Sequence, residues 1–319
     1  MKIVIPGGSG QVGTILARHF HGAGHEVVVL SRAPAVKVAW RVGSWDAQTR
    51  GTWTKELDGA DVVVNLTGRS VNCRYTPANR REIIESRVRS TQVVGEAIRS
   101  CVRPPRVWLQ ASTATIYAHR FDAPNDERTG TLGGSEPNAP GTWKFSTDVA
   151  TAWEHALEAA DTPRTRKVAL RSAMTMSPDR GGVFDVLLGL VRRRLGGRAG
   201  DGRQFVSWVH EADFIAAVEF LIRHEELSGA VNVCAPEPLP NADFMRALRE
   251  AWGVRFGLPA MRWMTELGAW AMRTESELVL KSRRVVPGRL LDAGFRFRFP
   301  SWPEAARDLC RQWRERRAG

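Results

Sequence analysis

The sequence predicts an α/β fold built on a Rossmann-type doubly wound parallel sheet, with a smaller, mainly helical C-terminal part. Three observations carry that expectation. Lys2 to Ile5 form a short apolar run ending in Pro6-Gly-Gly-Ser-Gly-Gln-Val-Gly13, and a helical apolar pattern (Val12, Ile15, Leu16, Phe20) begins at once. Strand-length apolar runs then alternate with helix-length segments as far as Arg171. Beyond residue 175 helical segments dominate, separated by short strand-like runs.

The first element also suggests a ligand. Strand, glycine-rich turn and helix, in that order, form the setting of a dinucleotide-binding turn. One glycine allows the tight turn, one lets the backbone approach a pyrophosphate, and one lets helix and strand pack closely. The helix N-terminus favours the anion through its unpaired N–H groups and macrodipole. Gly7, Gly8, Ser9, Gly10, Gln11 and Val12 are therefore the candidate pyrophosphate contacts.

Residues 25–30 read as the second strand, ending in Ser31-Arg32. A carboxylate at this junction would hydrogen-bond the ribose 2′-OH of NAD, whereas an arginine accommodates the 2′-phosphate of NADP. With no acid here, Ser31 and Arg32 point to NADP. Residues 36–40 are the expected third strand, and Asp46 follows in a polar loop, either near an adenine or in a simple turn. The fourth strand, 61–65, runs into Leu66-Thr67-Gly68, and such strand ends line the ligand crevice of a doubly wound sheet.

A long helix over 77–100 carries Arg87 on its apolar side, where an unpaired charge is costly and a structural ion pair would relieve it. The fifth strand, 106–111, leads to Thr113 and Tyr117. The polar stretch 119–142 is long enough for a lid or binding loop. A helix over 143–160 and a sixth strand over 167–171 follow. Helices are expected at 183–195, 211–224, 241–252, 260–281 and 303–315, with short strands at 205–210 and 230–234. The organisation expected is a cofactor domain over 1–172, its sheet completed from within 205–236, and a smaller substrate part over 173–319.

Composition narrows the function classes. The 319 residues are 43% hydrophobic and 25% charged, ordinary for a soluble globular protein. The net charge of +12 is almost wholly arginine, since there are only six lysines. The arginines are scattered, with clusters at 192–194, 283–284 and 311–317, and no nucleic-acid motif accompanies them, so a solvated basic surface is expected rather than nucleic-acid binding. Four cysteines stand far apart with no metal spacing, as reduced thiols of a cytoplasmic protein would. No apolar run has signal-peptide or membrane-helix length.

Taken together, these stretches resemble the extended short-chain dehydrogenase/reductase superfamily. Within it they resemble atypical epimerase-family proteins that end in a conserved domain of unknown function. The residues that carry the likeness are the GxxGxxG turn of 6–13, Ser31-Arg32, Val64-Asn-Leu-Thr-Gly68, Glu85-Ser-Arg87 with Thr91, Ala111-Ser-Thr-Ala-Thr-Ile-Tyr117 and Trp153-Glu154. In the second half they are Gly202 to His210 with Asp213, Asn232-Val-Cys-Ala-Pro236 with Asn241, Arg284-Val-Val-Pro287 and Leu290 to Pro300.

The resemblance implies that Arg87 meets the cofactor's phosphates or ribose, the ion pair being the alternative. It also implies a Ser/Thr that orients substrate, matched by Thr113, and a Tyr-x-x-x-Lys pair on the next helix. With Glu154 marking the helix register, that pair falls on Ser146 and Ala150, which cannot do its work. Tyr117 with Lys144 is a candidate replacement couple; otherwise Tyr117 packs and Lys144 is solvated. His210 and Asp213 suggest either a proton relay or capping. The reading is an NADP-dependent oxidoreductase or epimerase-like protein acting on a small carbonyl or alcohol. Its rival is a non-catalytic NADP(H)-binding sensor or scaffold, favoured by the missing Tyr and Lys.

Overall fold

Seven parallel strands form the central sheet of the computed structural model, which describes residues 1–33, 37–137, 139–260 and 277–318. They are β1 Lys2–Pro6, β2 Glu26–Ser31, β3 Arg41–Ser44, β4 Val62–Asn65, β5 Val107–Thr113, β6 Arg166–Ser172 and β10 Gly229–Val233. Their spatial order is β10-β6-β5-β4-β1-β2-β3, which reverses direction beside β1. Ligands of open α/β sheets bind at the carboxyl ends of the strands flanking such a reversal.

Strand alternation divides the core between the two faces. Ile3, Ile5, Val27, Val29, Val62 and Val64 point to one side, against Leu16 and Phe20 of α1 (Gln11–Gly22) and Phe214, Val218 and Leu221 of α5 (Glu211–Arg223). Val4, Val28, Val63 and Trp108 point to the other. There they meet Val93, Val94 and Ile98 of α2 (Pro77–Arg99) and Leu157 of α3 (Gly141–Glu158). Both faces are covered, which is why the strands read as continuous apolar runs.

Two strand expectations are corrected. The third strand is Arg41–Ser44, not 36–40. As an edge strand, half-exposed along its length, it needs no apolar run, so the run at 36–40 misled. The stretch 205–210 does not join the main sheet. It splits at Ser207 into β8 (Phe205–Val206), paired with β11 (Leu239–Pro240), and β9 (Trp208–His210), paired with β7 (Met174–Met176).

A second core lies in the C-terminal half. It joins Phe184 and Leu188 of α4 (Val183–Arg192), Phe244 and Leu248 of α6 (Asn241–Trp252), and Trp302, Leu309 and Trp313 of α9 (Trp302–Ala318). Phe244 stacks on Trp302 at 4.0 Å, and the Trp302 indole N–H donates to Phe244 O at 2.9 Å. Short helices α7 (Glu277–Leu280) and α8 (Gly288–Asp292) complete the described chain. Most of the helix expected over 260–281 lies outside the described residues. No helix among the described residues is long and apolar enough to cross a membrane.

Candidate cofactor and active site

The glycines of the first turn serve different neighbours. Gly7 has φ +72°, and a Cβ there would stand 2.7 Å from Thr67 Cα, so both conformation and space require glycine. A Cβ on Gly13 would stand 2.3 Å from Gly8 Cα, because α1 begins directly beneath the turn. Gly10 is different: a Cβ there would meet nothing closer than Gly7 O at 4.0 Å. Within the protein, space alone does not demand glycine at residue 10, and the N-terminus of α1 carries neither a side-chain cap nor an acidic first turn. That open cradle fits an anion.

The groups around it fit a dinucleotide. Ser31 Oγ donates to Ser9 Oγ at 3.2 Å, tying the end of β2 to the turn. Arg32 is exposed beside it and forms no ion pair among the described residues. Thr67 carries a buried hydroxyl with no partner among the described residues, and Gly68 is exposed against the Arg87 guanidinium. Arg87 donates to Ile83 O at 2.9 Å and lies 4.8 Å over the Trp153 ring, with no carboxylate partner. Burial pulls its pKa down to about 10, with Tyr75 opposing. Of its two expected roles, the ion pair is absent among the described residues. Gln11 packs against Gly182, ahead of α4, and Val12 against the sheet core; Leu66 N donates to Pro6 O at 2.8 Å.

Thr113 ends β5, and its hydroxyl accepts from Thr115 N at 3.1 Å. That leaves the hydroxyl proton to donate outward. Tyr117 is placed differently. Its ring is 2% exposed, its O–H donates to Asn232 Oδ1 at 2.9 Å, and it accepts from Arg171 at 2.8 Å. Arg171 in turn forms a bidentate pair with Glu154 at 2.9 and 2.8 Å, and Ser112 donates to the same carboxylate at 2.5 Å. Burial works against the charge on Arg171, but Glu154 and Tyr117 hold its pKa above the usual range. Burial likewise pushes the Tyr117 phenol up, against the pull of Arg171. Lys144 is exposed and pairs with Asp148 at 2.8 Å. The expected Tyr117–Lys144 couple is therefore not assembled, because the chain turns the phenol into the core and the lysine to solvent.

Other residues resolve as structure. Asp46 closes its own turn by accepting from Gln48 N and Thr49 N, and these bonds with that of the Thr49 hydroxyl bring its pKa to about 2. His210 caps α5 by accepting from Ala212 N, and Asp213 accepts from Arg298 N and Phe299 N. The stretch 119–142 is pinned rather than free: Asn125 exchanges backbone bonds with Arg284 and Val286, and Glu127 accepts from Asn232 N.

A cluster that sequence reasoning missed stands next to Thr113. Ser146 donates to Glu277 at 2.5 Å, Arg283 Nε donates to Thr115 Oγ1 at 3.1 Å, and Lys281 Nζ donates to Thr115 O at 2.9 Å. Lys281 is 1% exposed; burial and Arg283 bring its pKa to about 8, with Glu277 and Glu136 opposing. Arg283 had been counted in a solvated basic cluster, yet its side chain is 11% exposed. The only sequence signal available was the rarity of lysine.

With this geometry in view, comparison with known proteins decides the family. The model of the NAD dependent epimerase/dehydratase family matches residues 3–234. The chain belongs to that family. A domain of unknown function (DUF1731) matches residues 262–309. The chain is 30% identical to epimerase family protein SDR39U1 of Bos taurus over 97% of its own length and 99% of that protein. Among solved structures it resembles human SDR39U1 (isoform 2) with NADPH, at TM-score 0.84 and 27% identity, covering 98% of this chain and 99% of that one. It also resembles a nucleoside-diphosphate sugar epimerase from Corynebacterium glutamicum, at TM-score 0.74 and 27% identity, covering 100% of this chain and 62% of that one. Within this epimerase/dehydratase family member, the seven-stranded doubly wound sheet and helical C-terminal part agree with the fold expected from sequence. Among the described residues no cluster of side chains could hold a metal ion.

Proposed function

We propose that this protein is an NADP(H)-dependent oxidoreductase or epimerase-like enzyme of the extended short-chain class, acting on a small carbonyl or alcohol. The observation that carries the cofactor is the open cradle at Gly10 beside an exposed Arg32 that has no acidic partner among the described residues. The NADPH-bound human relative supports it. In this reading Gly7 to Val12 hold the pyrophosphate, Ser31 and Arg32 the 2′-phosphate, and Leu66, Thr67, Gly68 and Arg87 the nicotinamide half. Residues 1–172 then act as the cofactor unit and 173–319 as the substrate part, in a reducing, cytoplasmic setting.

The cofactor, when bound, supplies hydride chemistry. Thr113 contributes a hydroxyl proton directed at the substrate oxygen, because its lone pair is already engaged by Thr115 N. The enzyme recognises its substrate between the end of β5 and the 277–283 segment. Tyr117 holds Arg171 and Asn232 in place and takes no chemical part.

Fluorescence titration tests the cofactor. NADPH is expected to bind at least tenfold tighter than NADH. Arg32→Ala should bring the two within about threefold, since a charge-assisted contact is worth about 1.5–3 kcal/mol. Equal affinities in the parent protein would refute the NADP reading. Turnover is tested by NADPH consumption with a panel of small aldehydes and ketones, where Thr113→Ala should lower kcat at least tenfold.

A second reading, a non-catalytic NADP(H) sensor or scaffold, is favoured by Ser146 and Ala150 at the tyrosine and lysine positions. Tight NADPH binding without consumption across the panel would select it.

A further inference from the structure

We propose that Ser146 and Glu277 form the proton-transfer couple of this active site, taking over from the tyrosine and lysine that α3 lacks. The inference rests on the oxidoreductase reading above. Ser146 occupies the position at which the family's resemblance places the tyrosine, on the face of α3 whose next turn, Ala150, packs against Ala114, Ile116 and Tyr117. Its hydroxyl donates to a carboxylate that is 1% exposed and belongs to the opposite end of the chain, at 2.5 Å. A serine hydroxyl alone is a poor acid or base; backed by a buried carboxylate it becomes a relay.

The surroundings fit a carboxylate that must be held and recharged. Arg283 lies 4.0 Å from Glu277 and bonds the Thr115 side chain, while Lys281 holds the Thr115 carbonyl. Arg283 ties the carboxylate to the turn that follows Thr113, and Lys281 braces that turn from the same segment. Arg283 and Lys281 are charged groups near Glu277, with Glu136 beyond Lys281 and Tyr75 beyond Arg283. Ser146 is half-buried, beside the enclosed carboxylate.

In the reduction, the cofactor when bound would supply hydride to the carbonyl carbon, the C=O π pair moving to oxygen. Reduction starts from the protonated Glu277 carboxyl, with the Ser146–Glu277 bond reversed from its resting direction: that oxygen takes the Ser146 hydroxyl proton, Ser146 takes the Glu277 carboxyl proton, and a solvent proton returning through half-buried Ser146 restores the carboxyl. Oxidation of the alcohol runs the same transfers in reverse, with oxidised nicotinamide as hydride acceptor and the proton ending on Glu277.

Two measurements test this. In the cofactor-free protein, infrared pH titration is followed at the carboxyl band removed by Glu277→Gln. Ser146→Ala should raise the midpoint of that band, because a hydrogen bond to the charged form is lost; an unmoved midpoint overturns the couple. In turnover, Glu277→Gln should lower kcat at least 100-fold and Ser146→Ala at least tenfold, with NADPH affinity within threefold of the parent. The parent should show a solvent deuterium isotope effect on kcat that Ser146→Ala alters, which a merely structural role would not predict. A Glu277→Gln protein that turns over like its parent overturns the couple and leaves the oxidoreductase reading standing. A parent that binds NADPH but reduces nothing overturns that reading and, with it, the couple's chemical role.

Discussion

Gly10 and Gly13 separate two reasons for glycine in a phosphate-binding turn. Gly13 has no room for a methyl group, with Gly8 Cα 2.3 Å from its Cβ position, whereas Gly10 faces open space. Gly13→Ala should therefore destabilise the fold by about 1–3 kcal/mol, the usual cost of overpacking. Gly10→Ala should leave the denaturation midpoint nearly unchanged while weakening NADPH binding at least tenfold. Denaturant melts and NADPH titrations on both variants check the contrast. Tyr117 makes a similar distinction. Tyr117→Phe leaves Arg171 and Asn232 each short of a partner in the core, so it should cost about 1–3 kcal/mol of stability with NADPH affinity unchanged. Lost turnover at full stability would instead return the phenol to the chemistry.

At the level of elements, α5 shows which of two expected roles, proton relay or cap, His210 takes up in the fold: it caps the helix. His210 is 1% exposed, stacks on Phe299 at 4.0 Å, and bonds Asp308 of α9 at 3.2 Å. Burial brings its pKa to about 4, with Asp308 opposing. The folded pKa thus lies below the unfolded value of about 6.5, so between these pH values the unfolded chain binds more protons. Stability should rise with pH from 4 to 6.5 and be lost as pH falls through that window, by up to about 3 kcal/mol. His210→Gln should flatten this slope in urea melts from pH 4 to 7; an unchanged slope would assign the dependence elsewhere.

For the whole molecule, the sheet and the C-terminal part share the candidate site. Arg18 of α1 and Arg316 of α9 both bind Asp179, just ahead of the Gly181-Gly182 turn that covers Gln11. A cofactor bound at the turn should therefore stabilise both cores. NADPH at 100 times its Kd should add about 2.7 kcal/mol, read as a rise in Tm, with NADH at the same concentration giving less. No rise with NADPH would count against the cofactor reading.

What the sequence determined is the local part: buried parallel strands as unbroken apolar runs, the glycine turn between β1 and α1, and the arginine that ends β2. Each is legible because strand, turn and helix follow directly along the chain. The edge strand β3 escaped that reading, since it is half-exposed and carries no apolar signature, and the pairings of β8 and β9 depend on distant partners. The site's chemical wall was decided by tertiary structure alone. Tyr117 lies four residues after Thr113, yet the turn between them sends its ring into the core. Ser146 and Glu277 are 131 residues apart, and Thr115 and Lys281 are 166 apart, and only packing of the C-terminal part against α3 and the end of β5 brings these charges together. Burial then changes what those residues are: an arginine read as part of a solvated basic surface is enclosed, with Lys281, beside a buried carboxylate.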